Sequence, residues 1–184
     1  MIYFDKVSKI YPDESIALDN VSFTVEPNEF ITIVGHSGAG KTTLMKMIIR
    51  EDWPTEGAVF FESANIHKLR KGQMNKLRRR IGTVFQDYRL IANKTVYENI
   101  AFAMEAVGRT DSEIKSDVPH VLELVELGKK IWSFPHELSG GEKQRVAIAR
   151  AIVTQPDIII SDQPTGNLDP INTQDIIKMI KNSM

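Results

Sequence analysis

Phe30-Ile31-Thr32-Ile33-Val34-Gly35-His36-Ser37-Gly38-Ala39-Gly40-Lys41-Thr42 is the stretch on which the fold turns. Its first five residues are apolar or β-branched, which predicts a strand buried on both faces of a sheet. The next eight satisfy G-x-x-x-x-G-K-[ST], and a helix is expected from about Lys41 to Arg50. A strand, a glycine-rich turn and a helix in that order make a phosphate-binding loop. Glycines let the backbone wrap around phosphates, while successive N–H groups and the helix N-terminus face their negative charge. Lys41 supplies a mobile cation for the β/γ region, and Thr42 a hydroxyl for magnesium. Gly35, Ser37, Gly38, Ala39, Gly40, Lys41, Thr42 and the adjoining Thr43 are therefore the candidate residues for ATP with Mg2+. A glycine-rich turn that only caps a helix is the plain alternative.

Outward from this loop, Ile2, Phe4 and Val7, then Val21, Phe23 and Val25, alternate with polar residues on either side of Pro12-Asp13-Glu14. That pattern predicts antiparallel, half-exposed strands. Ala58-Val59-Phe60-Phe61 and Ile81-Gly82-Thr83-Val84-Phe85 predict further strands, with a basic helical stretch between them. From Thr95 to about Leu127 the apolar residues recur at helical spacing, as in Val96, Ile100 and Met104, then Val118, Val121, Leu122 and Val125. A helix from about Gly141 to Thr154, a strand at Ile158-Ile159-Ile160 and a helix from about Asn172 to Lys181 restore an α/β rhythm. The expected fold class is α/β: a P-loop NTPase core with a mostly parallel sheet, an N-terminal antiparallel β subdomain and a helical insert. In one domain, the core and β subdomain take about 1–90 and 136–184, and the insert about 91–135.

The chain has 184 residues, 42% of them hydrophobic and 26% charged, which suits one globular domain and excludes fibrous and disordered classes. A net charge of −1 exerts no global pull toward nucleic acid or anionic lipid. Lys68, Arg70, Lys71, Lys76, Arg78, Arg79 and Arg80 cluster without an aromatic residue for base stacking. They read as a solvated helical face, and no nucleic-acid partner is expected. The absence of cysteine removes disulfides, thiolate metal sites and cysteine nucleophiles together. His36, His67, His120 and His136 pair at no metal-ligand spacing, so magnesium is the only metal expected. Met1 to Lys6 lacks the apolar run of a secretory signal, which reads as an unexported chain. The most apolar stretches are broken by Glu105 and Arg150, short of the roughly 20 residues of a spanning helix.

Ile158-Ile159-Ile160-Ser161-Asp162 is an apolar strand ending in a carboxylate, and Asp162 fits the acid that orders a magnesium shell. Standing alone, such an aspartate is as readily a turn or helix cap. Just upstream, Leu138-Ser139-Gly140-Gly141-Glu142-Lys143-Gln144-Arg145 resembles the signature of the ABC ATPases. Ser139 and the two glycines open a helix, so their N–H groups form a second anion site; a simple serine cap is the alternative. The resemblance implies a homodimer on ATP binding, in which Ser139, Gly140, Gly141 and Glu142 of one subunit close on the ATP held by the other. It continues in order along essentially the whole chain. Tyr11 resembles the aromatic that stacks on adenine, Gln86 the glutamine that reaches magnesium and the attacking water, and Asn167-Leu168-Asp169 the loop that crosses the dimer. Apart from that order, Tyr11 would be an ordinary aromatic and Gln86 a solvated strand end.

Within the family, Phe85 to Leu90, Thr95 to Ile100 and Pro164 to Asp169 are similar to the cell-division branch. Lipoprotein-release and macrolide-export ATPases are near relatives and share the Gly166-Asn167-Leu168-Asp169 variant. The resemblance implies a cytoplasmic protein, peripheral on the inner face of the plasma membrane. Its helical insert would offer a groove to an integral-membrane partner subunit, FtsX-like in the division system.

Two positions depart from the family pattern. Where it places a glutamate after the acid of the magnesium shell, this chain has Gln163. A carboxamide can orient water but cannot take up its proton, and a general base contributes about 10² to 10⁴-fold. The barrier would rise by about 3–5 kcal/mol, with ATP binding retained. Alternatively Gln163 positions water, as a glutamine does in some GTPases. The switch histidine has no counterpart, since all four histidines lie upstream, and the last strands of such a domain are expected to be missing. Three functions stay open: an ATPase subunit moving a transmembrane partner, a soluble ABC-type ATPase of DNA repair or translation, and a nucleotide-gated module without useful turnover. The second is disfavoured by the compact insert, which is neither a coiled coil nor a tandem domain.

Overall fold

The computed structural model describes residues 1–163, in two compact units: Met1–Arg78 and a second beginning at Arg79. The helix expected near 172–181, and Asp169, lie outside the described residues.

In the first unit, β1 (Ile2–Ile10) pairs antiparallel with β2 (Ile16–Val25) on one side and with β3 (Glu56–Phe61) on the other. The two-residue β4 (Ala64–Asn65) completes the order β2-β1-β3-β4. The predicted alternation is present: Ile2, Phe4 and Val7 are buried, and Val21, Phe23 and Val25 are half-buried between exposed Ser22 and Thr24. Phe4 stands opposite Phe23 with the two rings stacked at 4.6 Å. The spacing from Phe4 to Val7 breaks the period of two, and the pairing register slips there. Lys6 takes φ 47° at that irregularity, which returns Val7 to the buried face. Gly57 on β3 accommodates it, because a Cβ there would lie 2.2 Å from the Lys6 carbonyl oxygen. Helix α1 (Lys41–Ile48) buries Leu44, Met45, Met47 and Ile48. The basic helix α2 (Lys71–Arg79) buries only Met74 and Leu77, so its charged residues face solvent as expected.

The expected strand at 30–34 is absent. Among the described residues that run is assigned to no strand, and Ile33 and Val34 are 48% and 85% exposed. A strand of this kind depends on neighbours that satisfy its backbone groups and cover both faces, and β propensity does not supply them. The phosphate loop is thus followed by its helix but not preceded by an assembled strand.

In the second unit, β5 (Ile81–Val84) and β6 (Ile158–Ser161) run parallel, with Ile81 opposite Ile158 and Val84 opposite Ser161. Helices α3 (Val96–Val107) and α4 (Asp111–Leu124) occupy the expected insert. Thr95 and Thr110 cap them, each in a reciprocal box with a glutamate three residues on, and Gly108 ends α3 at φ 87°. Their apolar stripes, with Ile100, Met104, Val118 and Leu122 fully buried, form one core with Val146 and Ala149 of α5 (Gly140–Ile152). Ala147, Ile148 and Ala151 of α5 pack against Val84 of β5. Fully buried Asn99 fastens the preceding loop: its amide nitrogen donates to the carbonyls of Ile91, Lys94 and Thr95, and its oxygen accepts from Ile91 N–H.

Candidate functional site

In the first unit the site is built on the start of α1. Gly40 precedes that helix at φ 81°, no side chain caps it, and its first turn holds no acid. Helices α3, α4 and α5 each open instead on a capping box of their own. The first N–H groups of α1 therefore have no acceptor from a capping side chain, and an anion suits them. Lys41, Thr42 and Thr43, which carry those groups, line a cavity of about 290 Å³ with Tyr11, Ser15, Ile16, Ala17, Gly38 and Gly40. Gly40 is forced by proximity as well as by φ, since a Cβ would stand 2.3 Å from the Ala17 carbonyl oxygen. Lys41 Nζ donates to the carbonyls of Gly35 (2.7 Å) and His36 (2.8 Å), closing the loop on itself. An ammonium has three N–H donors, so one remains for an incoming oxygen. Exposed Ser37 lies in the turn, and Ala39 N–H donates to the His36 carbonyl at 3.2 Å.

Tyr11 lines the same cavity. Its hydroxyl donates to Asp52 Oδ2 at 3.0 Å and shares a 3.2 Å hydrogen bond with Thr43 Oγ1 on α1. A flat ring, a row of backbone N–H groups and a lysine around one cavity suit a base joined to a polyphosphate. Ser15, Ile16 and Ala17 also line it, and nothing in their sequence pattern marks them. The backbone explains their presence: Tyr11 N–H bonds the Ser15 carbonyl and Glu14 N–H bonds the Tyr11 carbonyl, so this turn brings the start of β2 beside the loop.

In the second unit, Asp162 follows β6 directly, 9% exposed, and its N–H donates to the Val84 carbonyl of β5 at 2.9 Å. Exposed Gln86 lies two residues past Val84, so it and Asp162 leave the carboxyl ends of neighbouring parallel strands, where α/β sheets bind ligands. Gln163 is exposed with φ 46°. Arg150 of α5 donates to the carbonyls of Tyr88 (2.7 Å) and Arg89 (2.6 Å), fixing the backbone just beyond Gln86. Burial first, then the nearby Arg89 charge, pulls its basicity below the ordinary guanidinium value.

Ser139 is the N-cap of α5. Its Oγ accepts from Glu142 N–H at 3.3 Å, and Glu142 Oε2 accepts from Ser139 N–H at 2.8 Å. That bond holds the Glu142 carboxyl below its ordinary range. The serine cap and the anion site are compatible, because a hydroxyl that accepts one bond still has a proton to donate. Thr42 and Asp162 offer oxygen donors, the chemistry magnesium prefers. Among the described residues no group of three or more His, Cys, Asp or Glu gathers as a metal site.

The model of the family described as ABC transporter matches residues 18–166. The chain belongs to the ABC transporter family. This ABC chain is 46% identical over 181 residues to the cell division ATP-binding protein FtsE of Bacillus subtilis, covering 98% of itself and 79% of that protein. It is 50% identical over 175 residues to FtsE of Streptococcus pneumoniae, covering 95% and 76%. Among solved structures it is similar to the dimeric ATP-binding cassette MJ0796 in a post-hydrolysis state bound to ADP and Pi. There the TM-score is 0.89 at 35% identity, over 97% of this chain and 81% of that one. As an ABC ATPase, the chain binds ATP and hydrolyses it to ADP and phosphate. Among the described residues no helix is long and apolar enough to cross a membrane.

Proposed function

We propose that this chain is the ATP-binding subunit of an FtsE-like cell-division complex, in which ATP closes a homodimer and the closure moves an integral-membrane, FtsX-like partner. The observation that carries the reading is the uncapped start of α1, with Lys41, Thr42 and Tyr11 around one cavity. Phosphates lie on the N–H groups of Gly38 to Thr43 and on Lys41, and adenine stacks on Tyr11. Thr42 would hold the magnesium that accompanies the nucleotide, and Gln86 and, through water, Asp162 would complete its shell. Ser139, Gly140, Gly141 and Glu142 of one protomer, with Asp169, complete the site of the other. The dimer of MJ0796 and the FtsE relatives support this arrangement. One domain holds the core and β subdomain (about 1–90 and 136–184) and a helical insert (about 91–135) as the partner's seat. The protein then works on the cytoplasmic face of the plasma membrane.

Gln163 favours a second reading of turnover: ATP closes the dimer, and hydrolysis is slow because no carboxylate takes the water's proton. Mass measured by light scattering, with and without ATP and magnesium, tests the closure. Doubling with ATP is expected, and an unchanged monomer with ATP demonstrably bound refutes it. Phosphate release compared with Gln163→Glu tests the turnover.

A further inference from the structure

Asp52 has no part in any chemistry described so far, yet it is wired into the nucleotide site. It follows α1 by four residues, and its carboxylate collects three donors: Lys9 Nζ and Trp53 N–H on Oδ1, and the Tyr11 hydroxyl on Oδ2. Lys9 Nζ also donates to the Trp53 carbonyl at 2.8 Å and stands 5.0 Å from the centroid of the Tyr11 ring. Thr43, on α1 and 7% exposed, bonds the same phenol. Tyr11 is therefore held at its hydroxyl by two residues and approached by a cation at its ring, while it lines the cavity.

We propose that Asp52 is a positioning residue for nucleotide recognition: it fixes the Tyr11 ring, with Lys9 and Thr43, in the orientation that receives the base. This rests on the reading of Tyr11 as the adenine platform. A tyrosine tied only at Cα samples several rotamers, and freezing a side chain on binding costs about 0.5–1.5 kcal/mol. Here that cost is met before the nucleotide arrives. Because Thr43 is bonded to the same phenol, the platform keeps its register with α1, and so its distance from the phosphate loop. The charge state of the carboxylate suits this role. Burial raises its pKa, but the bonds from Lys9, Trp53 N–H and Tyr11 outweigh this and leave it lowered, so it stays an acceptor at neutral pH.

The test compares the affinity for ATP with that for inorganic tripolyphosphate, which meets the loop and not the ring. Four variants are used: Tyr11→Ala, Tyr11→Phe, Asp52→Ala and Asp52→Asn. Tyr11→Ala checks the underlying reading, and an unchanged ratio of the two affinities removes it. With that reading standing, Asp52→Ala and Tyr11→Phe each lower ATP affinity about three- to tenfold and leave tripolyphosphate unchanged. Asp52→Asn has a single acceptor oxygen, which serves the phenol only by turning its NH2 toward Lys9 and Trp53 N–H, and so recovers part of the loss. In the Tyr11→Phe background Asp52→Ala adds nothing further, the signature of one shared interaction. The proposal is overturned if Tyr11→Ala weakens ATP while Asp52→Ala and Tyr11→Phe do not. It is equally overturned if Asp52→Ala and Asp52→Asn weaken ATP and tripolyphosphate alike, which is the behaviour of a residue that only supports the fold.

Discussion

Gly38 and Gly40 form a controlled experiment inside one loop, because both take φ +81° and only one is crowded. A Cβ on Gly38 meets nothing within 4 Å, so Gly38→Ala carries only the conformational penalty of a left-handed alanine, about 1–2 kcal/mol. A Cβ on Gly40 lies 2.3 Å from the Ala17 carbonyl oxygen and 2.9 Å from Leu18 Cδ2. The first obstacle is backbone on β2, so relief requires separating the start of β2 from the start of α1. Overpacking of that kind costs about 1–3 kcal/mol in addition, which brings Gly40→Ala to about 2–5 kcal/mol in all. Urea unfolding with a common slope gives both values, and the lower end suffices to shift the midpoint clearly against a total of about 5–15 kcal/mol. ATP affinity follows the same order, because the separation displaces Ala17 and Thr43, which share the cavity. Equal losses for the two variants would refute the reasoning, since the Ala17 contact would then contribute nothing.

On the proposed role of position 163, Gln163→Glu supplies the carboxylate that the family pattern has there and is expected to raise phosphate release about 10² to 10⁴-fold, with ATP affinity nearly unchanged; equal rates would show that Gln163 already meets the need. Asn99→Ala strips the amide from the loop at 91–95, taking the acceptor from Ile91 N–H and the amide donor from the Lys94 carbonyl, while the Ile91 and Thr95 carbonyls keep backbone donors, for a loss of about 1–3 kcal/mol in urea unfolding. A change under about 0.5 kcal/mol would mean that the loop finds other donors. The Thr110 backbone N–H, then its hydroxyl, then Arg109 hold the Glu113 carboxyl at about 2 instead of its ordinary 4.5. A depressed folded-state pKa stabilises above the unfolded value and is lost as pH falls through the folded one. Wild type should therefore exceed Glu113→Gln in stability near pH 6, with the gap narrowing between about 4.5 and 2. A gap independent of pH would assign the effect to packing.

The phosphate loop, both insert helices, α5 and strands β1, β2 and β3 of the N-terminal sheet are legible in the sequence because each is specified locally. A capping serine or threonine with its glutamate, a left-handed glycine and an apolar period act over a few residues. The run at 30–34 is the opposite case: its residue types favour a strand, but a strand is a relation to neighbours that composition does not encode. The bulge at Lys6 left a trace in the spacing of Phe4 and Val7, and its partner Gly57 left none. Asp52 and Arg150 were equally silent. Each acts across 41 residues or more, through bonds to Tyr11 and to the carbonyls of Tyr88 and Arg89. An isolated acid or arginine carries no mark of such a distant partner.

The helix that lacks a cap of its own ties the lifetime of this domain to energy supply. Whatever anion settles on those N–H groups is bound by the folded chain and not by the unfolded one. At a nucleotide concentration a thousandfold above its dissociation constant the folded state gains about 4 kcal/mol, a large fraction of the about 5–15 kcal/mol of a typical domain. Where nucleotide runs short that margin shrinks, local opening around α1 becomes more frequent, and proteases meet an unfolded segment more often. A self-capped helix would have been indifferent to metabolism; α1, by its open end, is a gauge of it.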